Sequence, residues 1–396
     1  MNRAEALMNA DVEWMRDVVV DVLRAKSQVP SGQTEIQAGD PAIAAVVSDI
    51  VLPRIEQLRP AELRRHPSGD IAARFGPSGD GGLLLQTYIV SQHANLMDAC
   101  KAGTIVSESG LMQARALGQG ASQNKGALAA ALTVLRSLPD DLDQPVWLTV
   151  NTEGKSSHDG SRRILDDLGV TATAGILVVG TDLRVSLGNR GRVDVKLLVQ
   201  GESSHSSQPW LGSNPIEDAA DVVRCLRTLS LPDRHPLLGP VSATPYQFVC
   251  EPVSPHTIPT IVRLVVDRRL LPGEQASAVV DAMRLHLATS LPKVRLGVEF
   301  GEIMLPAEVA PNEPVVAALC EGLRSRGATG DPTVWSMNTF DAGYACSKGI
   351  PTVMFGPGRR HFTGTGMLGD DHVSIADMWT AVEVIRDAVR TLCRAG

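Results

Sequence analysis

The sequence has no C-x-x-C pair: its six cysteines, Cys100, Cys225, Cys250, Cys320, Cys346 and Cys393, are scattered. That spacing excludes a zinc ribbon and a disulfide-stapled scaffold, and most of the cysteines read as buried thiols. There is no uninterrupted run of ~18 apolar residues, the length a membrane-crossing helix needs, and no basic start followed by an apolar core of the kind that directs secretion. A cytoplasmic location is the expectation. Positive charge is not in excess either: 37 lysines and arginines stand against 44 aspartates and glutamates, for a formal net charge of -7. A nucleic-acid binder carries a basic face, so nucleic acid is set aside as a partner along with membrane. No internal repeat and no low-complexity tract interrupts the chain.

What is there is an ordinary globular balance, 43% hydrophobic and 20% charged over 396 residues. That length exceeds what one core usually supports, so two domains are expected. The opening segment places Val12, Met15, Val18, Val19, Val22 and Leu23 at helical spacing, and SQVPSGQTE breaks it. Strand and helix patterns then alternate through GGLLLQTYIV, NKGALAAALTVLRSL, PVWLTVNT, GSRRILDDLG and AGILVVG. This order predicts an α/β fold with a mostly parallel sheet. From about Arg184 the texture changes: GRVDVKLLVQGESSH alternates like an antiparallel strand, followed by the helical NPIEDAADVVRCLRTL, the strand TIVRLVVDRRLLPGE and a further helix. We read this as a smaller, ferredoxin-like α+β unit inserted in the larger domain. IPTVMFGPG and ADMWTAVEVIRDAVRTL return to the first domain. The expected boundaries are 1–183 with 303–396 for the main domain and 184–302 for the insert.

Six phrases carry a more specific signal: GQGASQNKGALAAAL, VNTEGKSSHDGSRRIL, GNRGRVDVKLLVQGESSHSSQPWLGSNPI, VVDRRLLPGE, NTFDAG and PTVMFGPG. In order and spacing they resemble the zinc-dependent amidohydrolase and metallopeptidase family of succinyl-diaminopimelate desuccinylase, acetylornithine deacetylase, aminoacylase and glutamate carboxypeptidase. The third phrase is the most specific, because a strand, a glycine, a histidine, a proline and G-x-N-P-I follow one another at the family's intervals. The resemblance covers most of the chain. It implies an inserted lid or dimerisation domain and a homodimer formed through it.

The resemblance also implies two divalent ions, zinc and sometimes manganese or cobalt, sharing a bridging carboxylate and a bridging water. Bound metal lowers the pKa of water from ~15.7 towards ~7, which makes hydroxide available at neutral pH. Carried over position by position, the general base falls on Glu153. The ligand after it falls on Gly154, the bridging aspartate on Gln123, the next carboxylate on Thr181 with Asp182 beside it, and the last histidine on Met367. The first ligand falls on His93, with Asn95 where the family has an aspartate; matching the strand start instead puts Tyr88 and Val90 there. One imidazole and neutral amides cannot build a dinuclear site, since divalent ions need several anionic or imidazole donors. A degenerate or absent metal centre is therefore expected, and no cofactor is assigned.

The substrate positions fare better under the same resemblance. His205 matches the histidine that stabilises the oxyanion, a donor worth ~3 kcal/mol when preorganised. Arg190, Asn214, Arg269 and Thr339 match positions expected to hold a substrate carboxylate or its neighbours, where an arginine fork suits a planar carboxylate.

Plainer readings stand beside these. Glu153 can also be read as a solvated carboxylate at a strand end, His205 as a capping loop histidine, His93 as a satisfied polar residue, and Arg190 and Arg269 as members of structural ion pairs. His158, His361 and His372, with Asp159, Asp182, Asp370 and Asp371, would make a displaced metal site, but no pair among them has H-x-x-x-H or comparable spacing. GQGASQNKG lacks the G-x-x-x-x-G-K-[ST] order and reads as a tight strand-to-helix turn. The function expected is hydrolysis of an amide or related C–N bond in a small carboxylate-bearing substrate. The alternatives are a non-catalytic small-molecule-binding or regulatory relative, and a hydrolase or deaminase whose labile metal arrives with its substrate.

Overall fold

The computed structural model describes residues 3–27, 39–91, 101–107, 109–153, 157–232, 234–358 and 371–394. It divides into two compact units: Met1–Gly188, Ala307–Trp335 and Asp341–Gly396 form one, and Asn189–Pro306 with Ser336–Phe340 the other. The short segment Ser336–Phe340, expected with the main domain, groups with the inserted unit and carries Thr339 with it.

In the larger unit the strands Val146–Asn151, Leu83–Tyr88, Ala174–Val178 and Thr352–Phe355 lie side by side and parallel. All of their residues but Ala174 are buried. A parallel strand covered on both faces has no polar face to show, which is why each of these reads as a largely apolar run, with polar residues confined to a few buried positions such as Gln86 and Thr149. The flanks of the sheet differ from the mostly parallel expectation. Ile71–Phe75 pairs antiparallel with Val146–Asn151, Glu62–Arg65 pairs antiparallel with Ile71–Phe75, and on the other side Val185–Asn189 runs antiparallel to Thr352–Phe355. The sheet is therefore mixed. Residues 66–70 are too few for the crossover that parallel neighbours need, so the first two strands form a hairpin.

The helix Gly126–Val134 is buried at all of its positions, and Arg3–Arg24 and Ile375–Cys393 both pack on it. Its four alanines let these helices approach, while Leu128 and Leu132, both at 0% exposure, each contribute roughly 2–3 kcal/mol of apolar burial. Two polar tethers tie the C-terminal segment to earlier parts of the chain. Asp371 accepts hydrogen bonds from Gly120 N at 2.7 Å, Ser122 N at 3.0 Å and Ser122 Oγ at 2.7 Å. Arg386 reaches Asp11 at 2.8 Å. Gly120 sits at φ +84°, and a Cβ there would meet Ser91 Oγ at 2.0 Å, so the turn before the buried helix requires glycine.

The smaller unit is a four-stranded antiparallel sheet in the order Ala243–Glu251, Ile261–Leu270, Gly191–Gln200, Arg295–Met304. Alternate residues Val193, Val195, Leu197 and Val199 with Val262, Leu264, Val266 and Leu270 face a core completed by Ala219, Val222 and Leu226 and by Val280, Met283 and Leu287. The last two trios belong to the helices Pro215–Leu226 and Ala276–Ser290. Ala243–Glu251 is an edge strand and exposes Tyr246, Phe248 and Val249. Among the described residues no helix is long and apolar enough to cross a membrane. Of the five described cysteines only Cys320 and Cys393 are buried, while Cys225, Cys250 and Cys346 are half-buried, fewer than expected.

Candidate active site

The carboxyl ends of the parallel strands gather the polar side chains of the larger unit. In open α/β sheets this is where ligands bind. Tyr88 and Asn151 end adjacent strands and are register partners. Both meet Asp341, which is 1% exposed: its backbone N donates to Tyr88 Oη at 3.1 Å, and Asn151 Nδ2 donates to its Oδ2 at 3.4 Å. Burial first, then the Asp341 carboxylate, push the Tyr88 phenol well above its ordinary range. His158 completes the group, with Nδ1 2.6 Å from Asp341 Oδ1. Gly160 lets the short helix after His158 come this close, because a Cβ there would lie 2.2 Å from Asn151 Nδ2.

Two residues beyond Asn151, Glu153 N donates to Asn151 Oδ1 at 2.9 Å. The Glu153 carboxylate is 2.9 Å from Arg163 Nη2, an electrostatic contact rather than an aligned hydrogen bond, since that nitrogen has no hydrogen-bond partner by geometry. Arg163 Nε is bonded to Asp70 at 2.6 Å, and Asp70 also accepts from Thr152 N, Thr152 Oγ1 and Ser68 Oγ. Burial raises the Glu153 carboxyl, and Arg163 only partly opposes it. Burial works against the charge of Arg163 too, yet Glu153 and Asp70 hold its pKa above the ordinary value. No sequence pattern marks this triad, because Arg163 lies on a helical stretch where an arginine is unremarkable.

In the smaller unit Arg190 is 6% exposed and donates through Nε and Nη2 to the carbonyl oxygen of Leu238. No carboxylate pairs with it among the described residues. Burial, then the charge of Arg269, lower its pKa. Arg269 donates through Nη1 to Thr339 Oγ1 and through Nη2 to Asp267 at 2.8 Å, so it is both brought to Thr339 and engaged in an ion pair. His205 is exposed, and its Nδ1 accepts from Ser207 N at 3.2 Å. A nitrogen that accepts from a backbone N–H carries no proton, so the neutral ring presents Nε2–H as a donor. Asn214 acts locally and caps Pro215–Leu226, with Oδ1 accepting from Ile216 N at 3.1 Å and Nδ2 donating to Glu217 at 3.0 Å.

Of the metal-ligand positions, His93, Gly154 and Met367 lie outside the described residues, as do Asn95, His361 and Asp370. Gln123 offers a neutral amide. Thr181 uses its hydroxyl on the backbone, donating to Gly356 O at 3.3 Å and accepting from Gly356 N at 3.1 Å. Among the described residues no three His, Cys, Asp or Glu side chains converge as a metal would require. The described donors do not fit a pair of divalent ions. Nor does the displaced set assemble among them: His158 is taken by Asp341, Asp371 by the Gly120 turn, and His372 lies on a strand paired with Leu117.

Residues 187–295 match the family model described as a peptidase dimerisation domain. The chain is 25% identical over 263 residues to the "Uncharacterized protein YgeY" of Escherichia coli strain K12, covering 61% of this chain and 65% of that one. It is 26% identical over 172 residues to an acetylornithine deacetylase of Buchnera aphidicola, covering 43% and 44%. The aligned stretches thus span less than two thirds of these relatives. A tripeptidase structure from Staphylococcus aureus superposes with a TM-score of 0.71 at 15% identity, covering 96% of this chain and 98% of that one, a similarity of fold. These findings define an α/β unit carrying an inserted peptidase dimerisation domain. Residues 187–295 are thus similar to a peptidase dimerisation domain, and the chain as a whole shares the fold of the tripeptidase.

Proposed function

We propose that the protein hydrolyses an amide or related C–N bond in a small carboxylate-bearing molecule, acting as a homodimer joined through the inserted unit. The observation that carries this reading is Arg190. Among the described residues this buried guanidinium has one carbonyl partner and no counter-ion, so it is costly to desolvate, and a ligand carboxylate would offset that cost. Arg269 and Thr339, already bonded to each other, would supply the second half of the clamp. The Nε2–H of His205 is a donor suited to a developing oxyanion. The exposed apolar residues of the Ala243–Glu251 edge support the dimer.

We read the metal positions as substituted, and this bears on how water is activated. A side chain acting alone must deprotonate water some nine pKa units harder to ionise than metal-bound water, roughly 12 kcal/mol. Glu153, the base by resemblance, is held by Arg163. That pairing, together with the neutral Gln123 and Thr181, favours a second reading in which the protein binds its carboxylate ligand without turnover. The experiment that separates the two is release of free amine from a panel of N-acyl amino acids and tripeptides, N-acetyl-L-ornithine among them, using protein whose metal content has been measured by elemental analysis. Turnover lost in Arg190→Ala supports the first reading. Binding of the same compounds without turnover supports the second, and two equivalents of zinc per chain would overturn the substitution of the metal positions.

A further inference from the structure

We propose that His158, oriented by Asp341, is the catalytic proton-transfer residue of this site; the proposal rests on the hydrolase reading above. Asp341 is a buried carboxylate 2.6 Å from His158 Nδ1. An ionised carboxylate can only accept, so Nδ1 carries a proton and Nε2 is left as the nitrogen through which the ring would exchange protons. Asp341 is itself fixed from two other strand ends, through its backbone bond to Tyr88 Oη and the amide of Asn151. The Tyr344 ring lies 5.5 Å from the His158 ring, tilted by 45°, which restricts the imidazole on one face. Burying an acid and an imidazole together is a poor way to gain stability, since an apolar pair of similar volume does as well or better. Such a pair at the carboxyl ends of the strands, linked through Asn151 to Glu153, is placed for chemistry.

The comparison with Glu153 decides which group takes the proton. A proton arriving on Glu153 would break its ion pair with Arg163. A proton arriving on His158 strengthens its bond to Asp341. In the step we assign, the oxygen of a water molecule attacks the acyl carbon of the amide while Nε2 takes one of its protons, and the carbonyl π pair moves onto oxygen. As that pair returns, the C–N bond breaks and Nε2 gives its proton to the leaving nitrogen, which yields a carboxylic acid and an amine and restores the neutral ring. Asp341 stays ionised throughout and acts as a positioning residue.

The test uses the intact protein with N-acetyl-L-ornithine and the same N-acyl panel. His158→Ala should lose roughly 100- to 10,000-fold in kcat with little change in KM, and added imidazole should restore part of the rate in proportion to its concentration. Asp341→Asn should lower kcat in the same way, without rescue by imidazole. Histidine-selective 15N NMR of the unliganded wild type should show His158 protonated on Nδ1, a readout that needs neither turnover nor a folded variant. Wild-type kcat in a folded His158→Ala, or a ring protonated on Nε2, overturns the proposal and leaves the hydrolase reading standing. A wild type that turns over nothing in the panel overturns both.

Discussion

Arg163 stands between two carboxylates, its Nε 2.6 Å from Asp70 and its Nη2 2.9 Å from Glu153. Asp70 is fully buried, so removing the guanidinium would strand a charge that water cannot reach. Arg163→Leu should therefore cost about 3–5 kcal/mol, and Arg163→Lys should recover only part, because a point charge cannot span both partners. Urea denaturation of the three proteins measures this, and a loss below about 1 kcal/mol would show that the triad relaxes when opened.

The raised Glu153 carboxyl has a definite sign in stability. Because its folded pKa lies above the ordinary value of ~4.3, the folded chain binds more protons than the unfolded one, and stability falls as pH rises from that value through the folded pKa. Glu153→Gln removes this contribution. The difference in urea midpoint between wild type and variant should grow in the variant's favour from about pH 4 upward and then level off; a difference that does not vary with pH would contradict the assignment.

Lys125 behaves in the opposite sense. It is 1% exposed, with its Nζ 3.4 Å from Ala25 O, and burial lowers its pKa to about 8, against the pull of Asp371. The unfolded chain, titrating near ~10.4, then binds more protons, so stability rises as pH goes from about 8 to about 10.4. Lys125→Met should abolish that alkaline gain and add on the order of 3 kcal/mol at pH 7, visible as a higher melting temperature. A variant less stable than wild type at pH 7 would mean that the partners of the ammonium outweigh the cost of its burial.

Asn214 separates a structural role from a binding one. Its amide spans the first turn of Pro215–Leu226, so Asn214→Ala should cost about 1 kcal/mol, and Asn214→Asp, which still accepts from Ile216 N, should cost less. Substrate KM should move little in either variant. A KM shift above tenfold in a stably folded Asn214→Asp would return the residue to the ligand.

Much of the fold is legible because burial on both faces writes itself as largely apolar runs, as in Val146–Asn151, and burial on one face as alternation, as in Gly191–Gln200. Glu62–Arg65 carries neither pattern: it joins the sheet through its backbone, in a hairpin, and so leaves no mark in the sequence. The candidate site is legible only in part. Thr339 and Arg269, 70 residues apart, are linked in the sequence through resemblance alone. His158 stands out for its ring, but its partner lies 183 residues away and no local spacing encodes such a pair. Asn214 precedes a proline at the first helical position, a capping signal that the resemblance overshadows.

The tether from Asp371 to Gly120 joins residues 251 positions apart, and that from Arg386 to Asp11 joins residues 375 apart. Synthesis runs in one direction, and domains form as units when their parts are available. On the ribosome the first helix must therefore wait, with Asp11 answered only by Arg136 and Ser137 and the glycine turn unlatched, until Asp371 and Arg386 have emerged, while nearly all of the inserted unit is made as one continuous stretch. The insert is expected to become protease-resistant first, and the larger unit to close later, around a strand and a helix that follow the insert in the chain.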